Sequence, residues 1–190
     1  MNKLSRPILH HFANPFPVRD GELLLAGMPL RQLAARIGQT PFYAYERSLI
    51  QTRVEALRKD LAGQVELNYA IKANPMPALI CHMAGLVEGF DVASAGELRV
   101  ALDSGMPGHK ISFAGPGKRQ EELVQAVAAG VLIKLESFRE ARLLAEISQQ
   151  LGLPARVAVR VNPDFEHKSS GMKMGGGAKP FGVDAEEVPH

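Results

Sequence analysis

The stretch Asn68-Tyr69-Ala70-Ile71-Lys72-Ala73-Asn74-Pro75 decides how this sequence is read. A short apolar run ends on a lysine, and a proline-bearing loop follows. Residues 65–71 predict a strand, with Lys72 at its C-terminal end. Working outward, the same rhythm repeats. Residues 77–85 predict a short helix, 89–92 a strand and 95–104 a helix. Residues 110–114, 131–135 and 156–161 predict further strands, with helices over 119–129 and 137–151 between them. Several of these strands are mostly apolar, as expected where both faces of a sheet are covered. About five β-then-α units in order predict a parallel sheet, open or closed into a barrel. A closed eight-stranded barrel takes roughly 250 residues, so the 190-residue chain supplies part of one.

In a βα barrel the C-terminal ends of the strands form the rim where active sites are built. Lys72 stands at that rim. Among apolar neighbours it is expected to be partly desolvated, which favours the neutral amine that attacks an aldehyde. A solvated lysine at a strand end is the competing reading of the same spacing.

Residues 1–40 read differently. Pro7, Pro15, Pro17 and Pro29 interrupt helix, and short apolar pieces such as Leu23-Leu24-Leu25 predict extended segments. Ser48 is expected to cap a helix reaching about residue 62, with Leu49, Ile50, Val54, Leu57 and Leu61 on one face. At the other end a polar, glycine-rich loop runs to about residue 179. Asp184 and Glu187 then have the spacing of a capping box opening another helix. The chain stops there, which predicts the N-terminal part of a longer protein.

Composition removes several classes of function. Lys and Arg number 22 against 20 Asp and Glu, a net charge of +2 with the basic residues scattered, so nucleic acid is not the expected partner. No apolar run approaches the roughly 18 residues of a membrane span, and the first residues lack a secretory apolar region. One cysteine, Cys81, permits no internal disulfide and fits a cytoplasmic protein. Cys81 is read as a small buried apolar residue. The six histidines show no metal-ligand pairing, so no metal site is expected, and the His10-His11 pair is read as solvated. Gly115-Pro116-Gly117-Lys118 is not a P-loop, which needs glycine where Ser112 stands and Ser or Thr where Arg119 stands. Gly175-Gly176-Gly177 is read as a flexible loop rather than a phosphate cradle.

Four ordered motifs resemble one family. Tyr69-Ala70-Ile71-Lys72-Ala73-Asn74 resembles the Schiff-base lysine motif of the fold-type III, alanine racemase-like decarboxylases that use pyridoxal 5′-phosphate. That family includes the diaminopimelate, ornithine and arginine decarboxylases. Phe90-Asp91-Val92-Ala93-Ser94-Ala95-Gly96-Glu97-Leu98 resembles its second-strand motif. Ile111-Ser112-Phe113-Ala114-Gly115-Pro116-Gly117-Lys118 resembles the third, and Val159-Arg160-Val161-Asn162-Pro163-Asp164 the fifth. The similarity runs in register from about residue 20 to the end. Ser170-Gly171-Met172-Lys173-Met174-Gly175-Gly176-Gly177, running into Phe181-Gly182, is similar to an exosortase-associated subgroup. That subgroup's relatives include decarboxylases of amino acids tethered to acyl carrier proteins.

The resemblance implies an α/β chain forming the N-terminal part of a (β/α)8 barrel of the TIM type over 41–190, with 1–40 an arm of a second β-domain. It implies Lys72 as the lysine bonded to pyridoxal 5′-phosphate and later a proton carrier. Asp91 is implied beside that lysine and the cofactor, where a carboxylate can hold a cationic lysine; its alternative is to cap the following helix. Arg160 is implied near the cofactor's phenolic oxygen, which supplies the anion an inward arginine needs; its alternative is an outward residue paired with a helix carboxylate. Ser94 and Glu97 are weaker candidates, Glu97 being suited to a first helical turn. The implied reaction is decarboxylation of an amino acid, free or carrier-bound, by a homodimer at full length. The ring-stacking histidine, the phosphate-binding glycines and the acid on the pyridine nitrogen are implied to lie outside these residues. The 190-residue chain alone is therefore expected to be inactive and poorly folded, since a half-barrel exposes strand edges. The rival readings are a racemase and a non-catalytic pyridoxal-binding or regulatory protein.

Overall fold

A computed structural model describes residues 16–163 and 180–188. The chain divides into two compact units between Gly63 and Gln64, later than the change of texture at residue 40.

The first unit holds three short antiparallel strands in sequential order, β1 (Val18–Arg19), β2 (Glu22–Leu25) and β3 (Met28–Pro29). Asp20-Gly21 and Ala26-Gly27 connect them, with φ between 50° and 77° at all four residues. Positive φ at both central residues is the two-residue hairpin geometry that matches strand twist. Helix α1 (Leu30–Ile37) follows at once and ends on Gly38. The expectation that Pro29 interrupts helix is thus corrected. Its ring precedes the first turn, where a missing N–H leaves no intrahelical bond unmade. Helix α2 (Arg47–Asp60) begins one residue before Ser48, so Ser48 is not the cap. The Ser48 hydroxyl donates instead to Glu46 Oε1 at 2.6 Å. Glu46 Oε2 accepts from the Ala26 N–H at 2.8 Å, tying the start of α2 to the second hairpin. That bond is one reason the unit extends past residue 40.

The second unit is a five-stranded sheet in the order β4-β5-β6-β7-β8, parallel throughout. The strands are β4 (Asn68–Ala70), β5 (Gly89–Val92), β6 (Ile111–Phe113), β7 (Leu132–Leu135) and β8 (Arg156–Val159). Between them run α3 (Pro77–Ala84), α4 (Ala95–Asp103), α5 (Gln120–Ala128) and α6 (Phe138–Leu151). Each helix packs on the next, so all four lie on one face. Strand order that never reverses, with helices on one side, is the winding of a TIM-type barrel; a doubly wound sheet reverses at a switch point. This unit is the N-terminal part of such a barrel, with five of the eight strands among the described residues.

Burial along the strands alternates. Phe90, Val92, Ile111, Phe113, Ile133 and Leu135 are buried against Ile80, Leu98, Leu123, Leu144 and Ile147 of the helical layer. Asp91, Ser112 and Lys134, between them, are only half-buried. The expectation of two covered faces is corrected for these strands: one face is apolar core and the other is polar. On β8 even the helix-side residues are open. Val157 and Val159, in register with Ile133 and Leu135, are both 47% exposed because no described helix covers them. After Arg160 the chain continues as β9 (Val161–Asn162), which pairs in parallel with β10 (Val183–Asp184).

Candidate active site

Lys72 sits just beyond β4. The strand is shorter than predicted, and Ile71–Ala73 forms a 3-10 turn. Ile71 is fully buried and its carbonyl accepts the Asn74 N–H at 3.0 Å, so the turn is anchored on the residue before the lysine. Asn74 Oδ1 accepts from the Met76 N–H at 3.1 Å, leading into α3, whose first residue is Pro77. The expected desolvation of Lys72 is corrected. The side chain projects from a rim turn and is exposed among the described residues.

A cavity of about 490 Å³ at this rim is lined by Lys72, Asp91, Lys134, Arg160 and Phe181, with small residues such as Ala93 and Gly115 between them. The structure therefore brings Lys72, Asp91 and Arg160 to one site. Their partners differ from those the sequence suggested. Asp91 lies on the polar face of β5, in register with Ser112. Its Oδ1 accepts from Ser112 Oγ at 2.5 Å and from Lys134 Nζ at 2.7 Å. The lysine held by Asp91 is thus Lys134. Lys72 has no hydrogen-bond or ion-pair partner among the described residues.

Arg160 carries its own counter-ion. Its Nη1 lies 2.9 Å from Glu136 Oε1 and 3.3 Å from Oε2. The anion that an inward arginine requires is a protein carboxylate. Glu136 is buried and also accepts the N–H groups of Gly115 and Gly182, each at 2.9 Å. One carboxylate so joins the ends of β6 and β8 to the segment before β10. The Phe181 ring packs on the Arg160 guanidinium at 4.8 Å, a favourable cation–π separation. Gly182 follows with φ +78°, and a Cβ there would stand 2.7 Å from the Arg160 carbonyl oxygen. Only glycine adopts that backbone so close to a neighbouring strand without strain.

A second buried carboxylate supports this rim from behind. Glu140 Oε1 takes Lys118 Nζ at 2.8 Å, and its Oε2 accepts the Glu136 N–H at 2.9 Å. Lys118 Nζ also donates to the carbonyls of Gly115 and Lys134 at 2.6 and 2.9 Å. The lysine of the P-loop-like stretch is therefore committed inside the protein. Ser94 and Glu97 are structural too: Ser94 Oγ caps α4 by accepting the Glu97 N–H at 3.2 Å, and Glu97 Oε2 accepts the N–H of Ala93, the residue before the cap, at 2.8 Å. The capping box expected at Asp184 does not form. Asp184 Oδ1 accepts from Asn162 Nδ2 at 2.7 Å, and the 3-10 turn Ala185–Glu187 follows without a side-chain cap.

Cys81 is exposed, against the expectation of burial, because it lies on the outer side of α3. The described residues include no group of His, Cys, Asp and Glu able to hold a metal ion. No helix among them is long and apolar enough to cross a membrane. The Ser170–Gly177 stretch with its glycine triplet, the His10-His11 pair and Asp164 lie outside the described residues.

Sequence reasoning missed Lys134, Glu136 and Ser112. The signal was present: Lys134 is a charge inside the apolar run Val131-Leu132-Ile133-Lys134-Leu135, and Glu136 follows directly. A charge at a strand position that alternates with core residues must face the other side of the sheet. Chemically, the site offers an amine without a partner among the described residues, in one cavity with a carboxylate and a guanidinium that each have an opposite charge in contact. An amine in that state suits a ligand with an aldehyde.

Comparison with known proteins gives the same direction. The chain is 41% identical over 178 residues to the diaminopimelate decarboxylase of Aquifex aeolicus, covering 92% of this chain and 42% of that protein. It is 37% identical over 151 residues to the L-glutamyl-[BtrI acyl-carrier protein] decarboxylase of Niallia circulans, covering 77% and 34%. It matches the solved structure of Helicobacter pylori diaminopimelate decarboxylase complexed with L-lysine at a TM-score of 0.74 and 31% identity, over 83% of this chain and 41% of that one. The chain thus spans about two-fifths of the length of the curated relatives it matches. Residues 47–190 match the family model described as "Pyridoxal-dependent decarboxylase, pyridoxal binding domain", and with that match the chain belongs to the pyridoxal-dependent decarboxylase family.

Proposed function

We propose that the protein decarboxylates an amino acid, using pyridoxal 5′-phosphate held on Lys72. The observation that supports this most is the Lys72 amine, without a partner among the described residues and lining the same cavity as Asp91 and Arg160 at the C-terminal rim. The donor set fits the cofactor. Lys72 would hold it through its amine, and Asp91 and Arg160 would flank it with their charges already balanced by Lys134 and Glu136. When bound, pyridoxal phosphate supplies the electron sink for the pair left as carbon dioxide departs. Lys72 would also serve to carry a proton at Nζ. Phe181 packs on the Arg160 guanidinium at the cavity wall.

Relatives acting on diaminopimelate and on a carrier-bound glutamyl group make a free or carrier-tethered amino acid the proposed substrate. We extend the reading to a cytoplasmic homodimer at the relatives' full length, with residues 1–40 as the arm of a β-domain. The 190 residues alone are expected not to turn over.

The test is borohydride reduction after addition of pyridoxal 5′-phosphate, followed by peptide mapping. The cofactor's mass should appear on the peptide containing Lys72, and Lys72→Ala should abolish both that label and the visible absorbance band. A wild-type chain that takes no label at Lys72 defeats the proposal. Product analysis of the protein at the relatives' full length then separates the rivals: an amine from a decarboxylase, inverted stereochemistry from a racemase, neither from a carrier.

A further inference from the structure

Two lysines face the cavity, and the sequence marked one. Lys134 lies on β7, two strands from Asp91 on β5. Adjacent strands are about 4.8 Å apart, so its side chain must cross β6 to reach the carboxylate. It crosses beside Ser112, which is small and in register with Asp91. There Ser112 Oγ and Lys134 Nζ converge on the same oxygen of Asp91, at 2.5 and 2.7 Å. On the opposite side of Asp91 lies β4, whose Ala70 is the register partner of Asp91. Lys72 is two residues beyond Ala70. Asp91 therefore stands between two ammonium-bearing chains and carries one negative charge.

The other charges at the cavity do not compete for it. Arg160 is paired with Glu136, and Lys118 is paired with Glu140 behind the rim. The choice left to Asp91 is Lys134 or Lys72, and Asp91 takes Lys134. Were Lys134 absent, the cation lining the cavity and left for Asp91 among the described residues would be Lys72. A carboxylate within about 4–6 Å holds an amine in its charged form, and the charged form cannot attack a carbonyl.

We propose that Lys134 is a positioning residue, which occupies Asp91 from the β7 side and so keeps the Lys72 amine free to bond an aldehyde cofactor. The inference rests on the reading of Lys72 as the cofactor lysine. It adds that the selection between two lysines in one cavity is made by Asp91. Lys134 is engaged by Asp91, while Lys72 has no partner among the described residues and is left to react. Lys134 itself need not touch the cofactor.

The experiment measures the rate at which the apo protein captures pyridoxal 5′-phosphate, from the growth of the absorbance band, and the site of the borohydride-trapped label. Lys134→Gln should slow capture roughly tenfold, because Asp91 is then free to take Lys72 as its partner. Lys134→Arg, which keeps the charge, should restore capture towards the wild-type rate. The double variant Lys134→Gln/Asp91→Asn should capture faster than Lys134→Gln alone, because the carboxylate that traps Lys72 is gone. A lysine that merely supported the fold would not give that reversal. In Asp91→Asn alone, part of the label should move to the Lys134 peptide. Unchanged capture in Lys134→Gln, or a double variant no faster than it, overturns the proposal while leaving Lys72 as the cofactor lysine. Absence of label on wild-type Lys72 overturns both.

Discussion

Two lysine–carboxylate pairs in this protein have almost the same length and opposite settings. Lys118 and Glu140 meet at 2.8 Å behind the rim, with side chains 1% and 9% exposed. Lys134 and Asp91 meet at 2.7 Å in the cavity, with side chains 37% and 27% exposed. The first pair is fully furnished: the ammonium also has two backbone carbonyls, and the second carboxylate oxygen holds the Glu136 N–H. The second pair leaves one Asp91 oxygen without a partner among the described residues. Distance alone would equate them. Burial separates a pair that holds the backbone of the rim from a pair that is open to the cavity.

The comparison is broken most forcefully at Lys118. Removing one member of a buried ion pair strands the other charge, at a cost of about 3–5 kcal/mol. Lys118→Met should lower the unfolding free energy read from urea denaturation by that much, and should do so without any cofactor present. Lys118→Met/Glu140→Leu should recover part of the loss, since replacing both partners by apolar groups removes the stranded charge. A loss below about 1 kcal/mol in Lys118→Met would mean the pair behaves as a surface pair despite its burial.

Glu136 lies between the two extremes. It is buried, but its partner Arg160 is 30% exposed at the cavity. Glu136→Gln keeps the shape and replaces one acceptor oxygen by an NH2 group. That group must then face the N–H of Gly115 or Gly182, or the Arg160 guanidinium. One unmatched buried donor costs about 1–3 kcal/mol, so chemical denaturation should show a loss of that size. Arg160 should also lose its fixed position, seen as a shifted and broadened guanidinium resonance. A stable variant with an unchanged Arg160 signal would show that Gly182 and Phe181 hold the arginine without the carboxylate.

The same contrast explains what could be read from the sequence. The core face was legible because Phe90, Val92, Ile111, Phe113 and Ile133 announce burial by being apolar, and period and turn residues bounded the strands to within a few positions. Lys72 was legible because its neighbours resemble a motif. The pairing was not. Asp91 has Lys72 near it along the strand register and Lys134 43 residues away, and nothing in the chain order says which it takes. That depends on Ser112 being small enough for a side chain to pass. Glu136 was illegible for a similar reason: its four bonds reach 21 to 46 residues away. Motifs mark residues that meet a ligand, whereas long-range pairing is settled by packing.

The smallest expected effect is the stability change in Lys134→Gln, and it is the one that sharpens the comparison. The pair is open to solvent on one side, so water compensates the loss of either charge, and exposed pairs contribute about 0–1 kcal/mol. Ser112 continues to hold Asp91 Oδ1 in the variant, so the carboxylate is not stranded as Glu140 would be without Lys118. The unfolding free energy from urea denaturation should fall by no more than this, while cofactor capture slows. The two measurements on one sample decide the matter. A small stability change with slow capture places the function of Lys134 in the cavity. A loss of about 3 kcal/mol or more would make Lys134 a second Lys118, a structural lysine, and the difference between the two pairs would then be one of exposure without consequence.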